Sequence, residues 1–291
     1  MATSPGAVPF WRTRRGQRRL TTIAVLVALC AGAAVILLPF FWMVSTALKP
    51  AEQVYLSPPV WVPIPPRFEN AAEVLTRVPF NRYALNTFVI VAMVMIGTLF
   101  SCSFAAYGFA RINAPGRNLI FMLVLATLML PGAVTLVPTY LMFNSVGWVD
   151  TFLPLIVPAF FGNAFSIFLL RQYYLTIPIE LEEAAKIDGA SHYRIWWSII
   201  LPLSKPVLAT IAVFTFVGTY NDFFTPLIYL SNEDNYTIAV ALSFFQGSPR
   251  IGPQMHLLMA AVTMSIIPPL LLYVAAQRYF VRGIVMSGIK G

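Results

Sequence analysis

The amino-acid sequence predicts an all-α integral membrane protein with six transmembrane helices and a short cytoplasmic helix between the fourth and fifth spans. Of its 291 residues, 58% are hydrophobic and only 10% are charged, whereas soluble domains carry about 25% charged residues. The charges lie in short clusters, separated by uncharged stretches that reach the about 20 residues needed to cross a bilayer. This composition, with a mean hydropathy of +0.76, excludes an ordinary soluble globular protein and a disordered chain.

The predicted spans cover about 20–48, 83–110, 118–138, 151–174, 199–230 and 255–277. The third uncharged stretch is too long for one straight helix, and Pro131 and Pro138 predict that it ends or kinks there. The fifth is interrupted by prolines and contains Asp222. The first follows an Arg-rich start, but its apolar run exceeds the about 7–15 residues of a signal peptide, so we interpret it as a true span.

The positive charges predict the orientation, because they concentrate on the cytoplasmic side of a membrane protein. With six spans, 14 of the 19 Lys and Arg fall on the side that holds both termini. They are Arg12, Arg14, Arg15, Arg18, Arg19, Arg111, Arg117, Arg171, Lys186, Arg194, Lys205, Arg278, Arg282 and Lys290. Both termini are therefore predicted to be cytoplasmic, with residues 1–19 as a basic N-terminal segment. The net charge of +8 indicates topology and lipid contact rather than nucleic-acid binding.

The largest predicted external segment, 49–82, is rich in Pro. Such a segment favours extended or polyproline geometry over helix, and it offers a landing surface for a partner outside the membrane. Cys30 and Cys102 both fall in apolar runs, without a disulfide framework or metal-ligand spacing. We predict no metal site.

The polar loop 176–198 predicts a short helix followed by a second one. Thr176 is predicted to cap the start, three glutamates favour the N-terminal end of the dipole, and Gly189 favours a left-handed end. Ser191 is predicted to cap the next helix. The net acidic helix, with Ala184 and Ala185 at its middle, suits insertion into a groove of another protein. An amphipathic helix lying on the membrane is the alternative, although such helices are normally basic with bulky apolar anchors.

The same loop resembles the signature of permease subunits of binding-protein-dependent ABC importers. The matching residues are Glu183-Ala184-Ala185, Gly189 after three further residues, Ile199, and Leu201-Pro202. Ala105–Arg117, Tyr220-Asn221-Asp222 and the tail Gly283 to Gly291 are similar to further parts of the family, most of all to the second membrane subunit of maltose-type importers. Tyr220 and Ala114 depart from the family pattern, which often has Trp and an aromatic residue there.

The resemblance implies a coupling helix in which Glu183, Ala184, Ala185, Lys186, Asp188 and Gly189 contact an ATPase subunit. It implies a second homologous permease subunit, two cytoplasmic ATPase subunits that hold ATP and Mg, an extracytoplasmic solute-binding protein, and a bacterial inner membrane. The C-terminal tail from Ser287 is a weaker candidate for the ATPase interface. No cofactor is expected in this chain, which lacks a Gly-x-x-x-x-Gly-Lys-Ser/Thr phosphate loop.

Polar residues inside predicted spans are candidates for the substrate path, because burying them without partners is costly. They are Asn86, Asn163, Asn221 and Asp222, with Tyr220 as an aromatic surface on which a sugar ring could stack. Asp222 suits a bond to a sugar hydroxyl, but it also suits a structural role, as a partner of a neighbouring helix or at the external interface, and we favour the structural role.

We therefore predict a transport subunit for a sugar or oligosaccharide. Import of glycerol-phosphate-type or other polyols by the same class of transporter is the alternative. A membrane enzyme acting on lipid-linked sugars is a distant alternative. Such an enzyme would need clustered acid, base or metal groups, and the dense acidic cluster of this sequence already fits the coupling signature. A secondary carrier would show paired repeats, which are not evident. The two histidines, His192 and His256, lie on opposite predicted sides of the membrane and so give no pair for a proton relay.

Overall fold

The computed structural model of the chain describes residues 14–246, 254–275 and 277, and within these residues it contains helices, turns and loops but no strand. The helices are α1 (Arg14–Ala47), α2 (Glu69–Arg77), α3 (Phe80–Arg111), α4 (Arg117–Ala126), α5 (Gly132–Ser145), α6 (Leu153–Ile156), α7 (Ala164–Tyr174), α8 (Glu180–Ile187), α9 (His192–Ile195), α10 (Leu201–Leu203), α11 (Lys205–Tyr220), α12 (Phe224–Tyr229), α13 (Ile238–Ser243) and α14 (Met255–Ser265). The all-α prediction is confirmed for this part of the chain. The predictions for residues 1–13, for Arg250 and for the tail from Gly283 lie outside the described residues.

Four of the described helices are long and apolar enough to cross a membrane. They are Leu20–Ala47, Phe80–Arg111, Leu153–Tyr174 and Met255–Ala275. These match the first, second, fourth and sixth predicted spans. The count rises to six only if each of two strongly bent helix pairs forms one span, so the prediction of six is confirmed in part.

The third predicted span, 118–138, is not one straight helix. Its two halves, Arg117–Met129 and Gly132–Ser145, meet at an angle of 101°. The break falls at Pro131, whose ring removes a backbone donor and fixes an extended conformation before α5 (ψ 133°). Pro138, by contrast, lies inside α5 without ending it.

The fifth predicted span, 199–230, is divided into several pieces. His192–Leu203 and Lys205–Tyr220 meet at an angle of 79°, at Ser204, where Pro202 and Pro206 flank the turn. The break follows because Pro206 has no N–H to donate to the carbonyl four residues earlier. The helix α11 then ends at Tyr220, and the separate helix α12 accounts for the last third of the predicted span.

The chain divides into two compact units, Met1–Glu73 with Gln254–Thr263 and Val74–Pro253 with Met264–Gly291. In the first unit, the Asn70 side chain donates to the carbonyls of Ala47 and Lys49, at 2.8 and 2.9 Å. The Lys49 ammonium is buried 3.8 Å above the ring of Trp42, and burial lowers the pKa of Lys49. The Pro-rich segment was expected to be extended rather than helical, and this is wrong for α2 and for the turn Ala51–Gln53.

The second unit has a core where α3, α7 and the 195–211 region meet. Its fully buried members include Cys102, Leu170, Tyr174 and Trp196, so the prediction that Cys102 is a small buried residue is confirmed, whereas Cys30 is exposed. Close packing on α3 depends on Gly97, since a Cβ there would lie 2.7 Å from the ring of Phe160. This core supports the loop that carries α8.

Candidate functional site

The helix α8 begins without the predicted cap. Its N-cap position is Ile179, whose side chain makes no capping bond, and the Thr176 hydroxyl instead donates to the Tyr173 carbonyl at 2.7 Å. The prediction that Thr176 caps the helix is therefore wrong. Glu180, Glu182 and Glu183 occupy the first turn as expected, where carboxylates interact favourably with the helix dipole.

The end of α8 confirms the predicted role of Gly189 in local structure. Gly189 has φ +80°, its N–H donates to the Lys186 carbonyl, and the N–H of Ala190 donates to Ala185. Together these two bonds form a Schellman motif, which needs a left-handed residue at this position. No atom lies within 4 Å of a Cβ placed on Gly189, so the constraint comes from the backbone alone. The Ser191 hydroxyl accepts from the Arg194 N–H at 3.3 Å, which confirms the second predicted cap.

The sides of α8 differ in exposure. Glu182 is 1% exposed, and Ala185 packs against the core of the second unit. Glu183, Ala184, Lys186, Asp188 and Gly189 are exposed. Of the six residues predicted to couple to an ATPase, only Ala185 is partly covered by this chain. The loop therefore exposes most of these six residues on one side, while Glu182 and Ala185 attach its other side to the rest of the chain.

The anchor is a buried ion pair that the sequence patterns do not predict. Arg111 is the last residue of α3, and its Nε lies 2.7 Å from Oε1 of Glu182. Only 6% of the Arg111 side chain and 1% of the Glu182 side chain are exposed. The same guanidinium donates to the carbonyls of Tyr174 and Ile177. Arg111 thus connects the end of α3, the end of α7 and the polar loop 176–198.

Tyr107 extends this cluster by one helical turn. Its hydroxyl donates to Oε2 of Glu182 at 3.4 Å and lies 3.2 Å from Nδ1 of His192. Tyr107 and Arg111 are four residues apart and therefore share one face of α3. A tyrosine and a cation at this spacing at the cytoplasmic end of one predicted span, with three glutamates in a later predicted cytoplasmic loop, are the sequence signal that could have indicated the pair.

The residues predicted for the substrate path do not form one cluster. Both bonds of the Asn86 amide nitrogen go to backbone carbonyls, of Asp234 at 2.9 Å and Tyr236 at 3.0 Å. Asn163 caps α7 by accepting from the Ser166 N–H at 3.0 Å. These contacts hold local structure, with Asn86 at the start of α3 and Asn163 before α7.

Tyr220, Asn221 and Asp222 lie together at the end of α11, with different surroundings. Tyr220 is buried, and its hydroxyl donates to the Ser265 carbonyl at 2.7 Å. Asn221 is exposed and donates to the Val217 carbonyl of its own helix. Asp222 accepts from the Thr225 N–H at 3.0 Å. This bond lies at the start of α12, the next helix along the chain, and the choice between a structural role and a substrate role for Asp222 stays a prediction.

Asp222 also borders a cavity of about 80 Å³. The polar lining consists of Thr87, Thr219, Asp222, Thr225 and Thr237, and the remainder is apolar. The cavity therefore lies between the first third of α3, the end of α11 and the segment before α13. Thr237 is a polar residue of this cavity that the sequence patterns do not predict, because it lies outside every predicted span.

Asp150 connects two loops of the second unit, at the end of that unit where α3 begins. It has φ +65°, which Asp tolerates better than most residues. Its Oδ1 accepts from the N–H groups of Asn232 at 2.8 Å and Ser231 at 2.9 Å. These backbone N–H groups hold the pKa of the Asp150 carboxyl below its ordinary value. Asp150 thereby ties the loop after α5 to the loop after α12.

Residues 97–286 match the family model described as binding-protein-dependent transport system inner membrane component. The chain belongs to this family. The match includes α8 and the loop that follows it, and it confirms the prediction of a permease subunit of an ABC importer. The chain is thus a multi-pass component of an inner membrane.

Curated relatives agree with this membership. The chain is 33% identical over 258 residues to the probable ABC transporter permease protein YurM of Bacillus subtilis, covering 87% of this chain and 83% of that one. It is 32% identical over 276 residues to the sn-glycerol-3-phosphate transport system permease protein UgpE of Yersinia pestis, covering 93% and 98%. These relatives are transport permeases, in agreement with a transport subunit rather than an enzyme.

Solved structures share the fold. A chain of a bacterial ABC transporter involved in the import of the acidic polysaccharide alginate aligns with a TM-score of 0.79 and 24% identity, covering 95% of this chain and 100% of that one. A chain of the alginate transporter in complex with its pentasaccharide-bound periplasmic protein aligns with a TM-score of 0.64 and 16% identity, covering 89% and 94%. The architecture of this chain is therefore that of an ABC importer permease.

Proposed function

We propose that this chain forms, with a second homologous permease subunit, the path by which an ATP-driven importer moves a sugar or related polyol across a bacterial inner membrane. The observation that carries the proposal is the geometry of α8. One side of this helix is held by a buried ion pair, while Glu183, Ala184 and Lys186 are exposed. A short helix that is attached at one side and exposes small and charged residues together with Leu181 and Ile187 suits docking into a cleft of another protein.

The docked partner in this proposal is an ATPase subunit on the cytoplasmic side, one of two that hold ATP and Mg. Glu183 provides the principal polar contact, to an arginine or to backbone N–H groups of the ATPase. Ala184 and Ala185 allow close approach, and the turn at Gly189 directs the chain away from the contact. The predicted orientation supports this placement, because most of the cations flank the segments on the same side as α8.

Movement of α8 reaches the spans through Arg111 in this proposal. The guanidinium contacts Glu182 of α8 and the carbonyls that end α7, and Arg111 is itself the end of α3. When the ATPase subunits close, a shift of α8 therefore displaces α3 and α7 together rather than bending the loop alone. The result is a switch of the permease pair between inward-open and outward-open states.

The relatives support two substrate classes. A sugar or oligosaccharide follows from the likeness to carbohydrate permeases at Tyr220-Asn221-Asp222, and an external solute-binding protein would deliver it. The alginate transporter provides a neighbour of the same fold that binds a periplasmic protein. Import of a glycerol-phosphate-type polyol is the second candidate, favoured by the 32% identity to a glycerol-3-phosphate permease.

Substitutions in α8 test the docking. Glu183→Arg and Gly189→Val are expected to abolish uptake by the reconstituted importer while the protein still inserts and the permease pair still forms. The first reverses the contact charge, and the second places a β-branched residue at φ +80°. Co-purification of the ATPase subunits should fall in parallel with uptake.

Two matched controls separate docking from general damage. Glu180→Arg reverses a charge that is exposed in the same helical turn but lies outside the signature, so it should retain most uptake. Gly189→Asn should also retain more activity than Gly189→Val, because Asn tolerates the left-handed conformation. Full uptake and normal ATPase association in both Glu183→Arg and Gly189→Val would falsify the docking proposal.

A further inference from the structure

The cavity beside Asp222 contains a polar group that the protein itself leaves without a partner. The Thr237 hydroxyl has no hydrogen-bond partner in the described part of the chain, and Thr237 is only 4% exposed. Burying a hydroxyl without a partner is unfavourable. Thr87 shows the contrast within the same cavity, since its hydroxyl donates to the Tyr83 carbonyl at 2.8 Å and accepts from the Ile238 N–H at 2.9 Å.

Asp222 supplies the complementary group. Its Oδ1 accepts from the Thr225 N–H, and an ionised carboxylate has capacity for about four acceptor bonds over its two oxygens. The side chain is only half-buried, so its second oxygen has room for a further donor. The cavity thus combines a strong anionic acceptor with a hydroxyl that can donate or accept.

We propose that this cavity is a subsite for a hydroxyl group at an uncharged end of the transported solute. The solute hydroxyl donates to Asp222 and accepts from the hydroxyl of Thr237. A volume of about 80 Å³ has room for a few water molecules, so it admits a hydroxyl-bearing end of a solute rather than a whole sugar ring. The inference rests on the proposed function, because it requires a polyol or sugar in the path.

The same chemistry disfavours an anionic group at this position. A phosphate or carboxylate would place negative charge beside Asp222 in a partly dehydrated cavity, where like charges repel more strongly than in water. It would also bring the Asp222 carboxylate no donor beyond the Thr225 N–H. A glycerol-phosphate-type solute would therefore need to direct its phosphate elsewhere, and an uncharged sugar or polyol is the better match.

The test uses the whole importer in proteoliposomes, with its binding protein and ATPase subunits and with labelled glucose, maltose, glycerol and glycerol 3-phosphate as probes. For the probe that is taken up, Asp222→Asn and Thr237→Val should each lower the ATP-dependent uptake rate about tenfold, the effect of losing one strong hydrogen bond. Stimulation of ATP hydrolysis by the loaded binding protein should stay close to wild type. Asn keeps an acceptor for the Thr225 N–H, and Val keeps the shape of Thr, so both variants should fold.

Two control substitutions match these changes outside the cavity. Asp234→Asn removes an exposed carboxylate that pairs with Arg82, and Thr210→Val removes a hydroxyl on α11 that bonds to the Pro206 carbonyl of its own helix. If both cavity variants take up the probe as fast as these controls, the subsite proposal is overturned and the cavity is only a site for water. A parallel fall of uptake and ATP hydrolysis would overturn it too, as evidence of structural damage. If the wild-type importer hydrolyses ATP but takes up none of the four probes, the proposed sugar or polyol function fails, and this inference fails with it.

Discussion

The two ends of α3 are held by different kinds of contact. At the Arg111 end, a buried charge pair connects three segments, and both partners are side chains. At the Asn86 end, side chains bond to backbone groups of the 231–238 segment, from Asn86, Thr87 and Asp150. Asn86 and Arg111 lie 25 residues apart on this helix, so the two networks are separated by about 37 Å at 1.5 Å per residue.

We propose that the Arg111 end transmits movement, whereas the Asn86 end shapes a surface. Removing one partner of a buried ion pair leaves an uncompensated charge and is expensive, so the pair moves as a unit or breaks at high cost. Side-chain bonds to an exposed loop are weaker individually, and water can replace them. We therefore expect the Arg111 end to couple α8 to the spans and the Asn86 end to keep the loop before α13 in place beside the cavity.

The largest expected effect is that of Arg111→Ala. It removes one partner of a buried ion pair, which is expected to destabilise the protein by about 3–5 kcal/mol. The carbonyls of Tyr174 and Ile177 lose a donor as well. Thermal unfolding of the purified importer in detergent measures the loss, and uptake should disappear with it.

A double variant distinguishes stability from coupling at the same end. Arg111→Met with Glu182→Leu replaces both charges by apolar side chains of similar size, which is often neutral for stability. We expect a loss of stability smaller than that of Arg111→Ala but impaired uptake, since the bonds of Arg111 to the Tyr174 and Ile177 carbonyls are gone. Wild-type uptake in the double variant would show that the pair only stabilises the fold.

At the other end of α3, Asn86→Ala should have a smaller effect. It removes two hydrogen bonds, each worth about 1 kcal/mol, and the carbonyls of Asp234 and Tyr236 can turn to water. Hydrogen exchange in residues 231–238 should become faster, while ATPase association stays unchanged. Asn144→Ala, at an exposed position of α5, is the control. Loss of ATPase association in Asn86→Ala would contradict the division between the two ends.

Local patterns predicted the parts of the coupling loop that depend on neighbouring residues. Gly189 and Ser191 act as predicted because a helix end and a helix cap involve contacts within a few positions. The Arg111–Glu182 pair is different, since 71 positions along the chain separate the two residues and only packing brings them together. The same holds for Asp150, whose partners Ser231 and Asn232 lie in another loop.

The span boundaries show a related limit. Hydropathy located the long apolar stretches correctly, because transfer to lipid depends on composition. The kink predicted at Pro131 is confirmed, the one predicted at Pro138 is not, and the bend at Ser204 was not predicted, since prolines inside a span sometimes break the helix and sometimes do not. Pro39 and Pro138 lie within continuous helices, and the surrounding packing decides between the two outcomes.

The smallest expected effect concerns acid and the Asp150 loop. The N–H groups of Asn232 and Ser231 lower the pKa of Asp150 below its ordinary value of 3.8, so the folded loop favours the ionised carboxylate. This contribution to stability is present above that ordinary value and is lost as the pH falls through the lowered pKa. The protection factors of residues 231–235 against hydrogen exchange, which correct for the pH dependence of the intrinsic rate, should therefore fall below about pH 4 in the wild type. In Asp150→Asn, exchange should be faster at neutral pH and show less dependence on acid. An equal acid response in both proteins would place the sensitive carboxyl elsewhere, with Asp234 and its partner Arg82 the next pair to test.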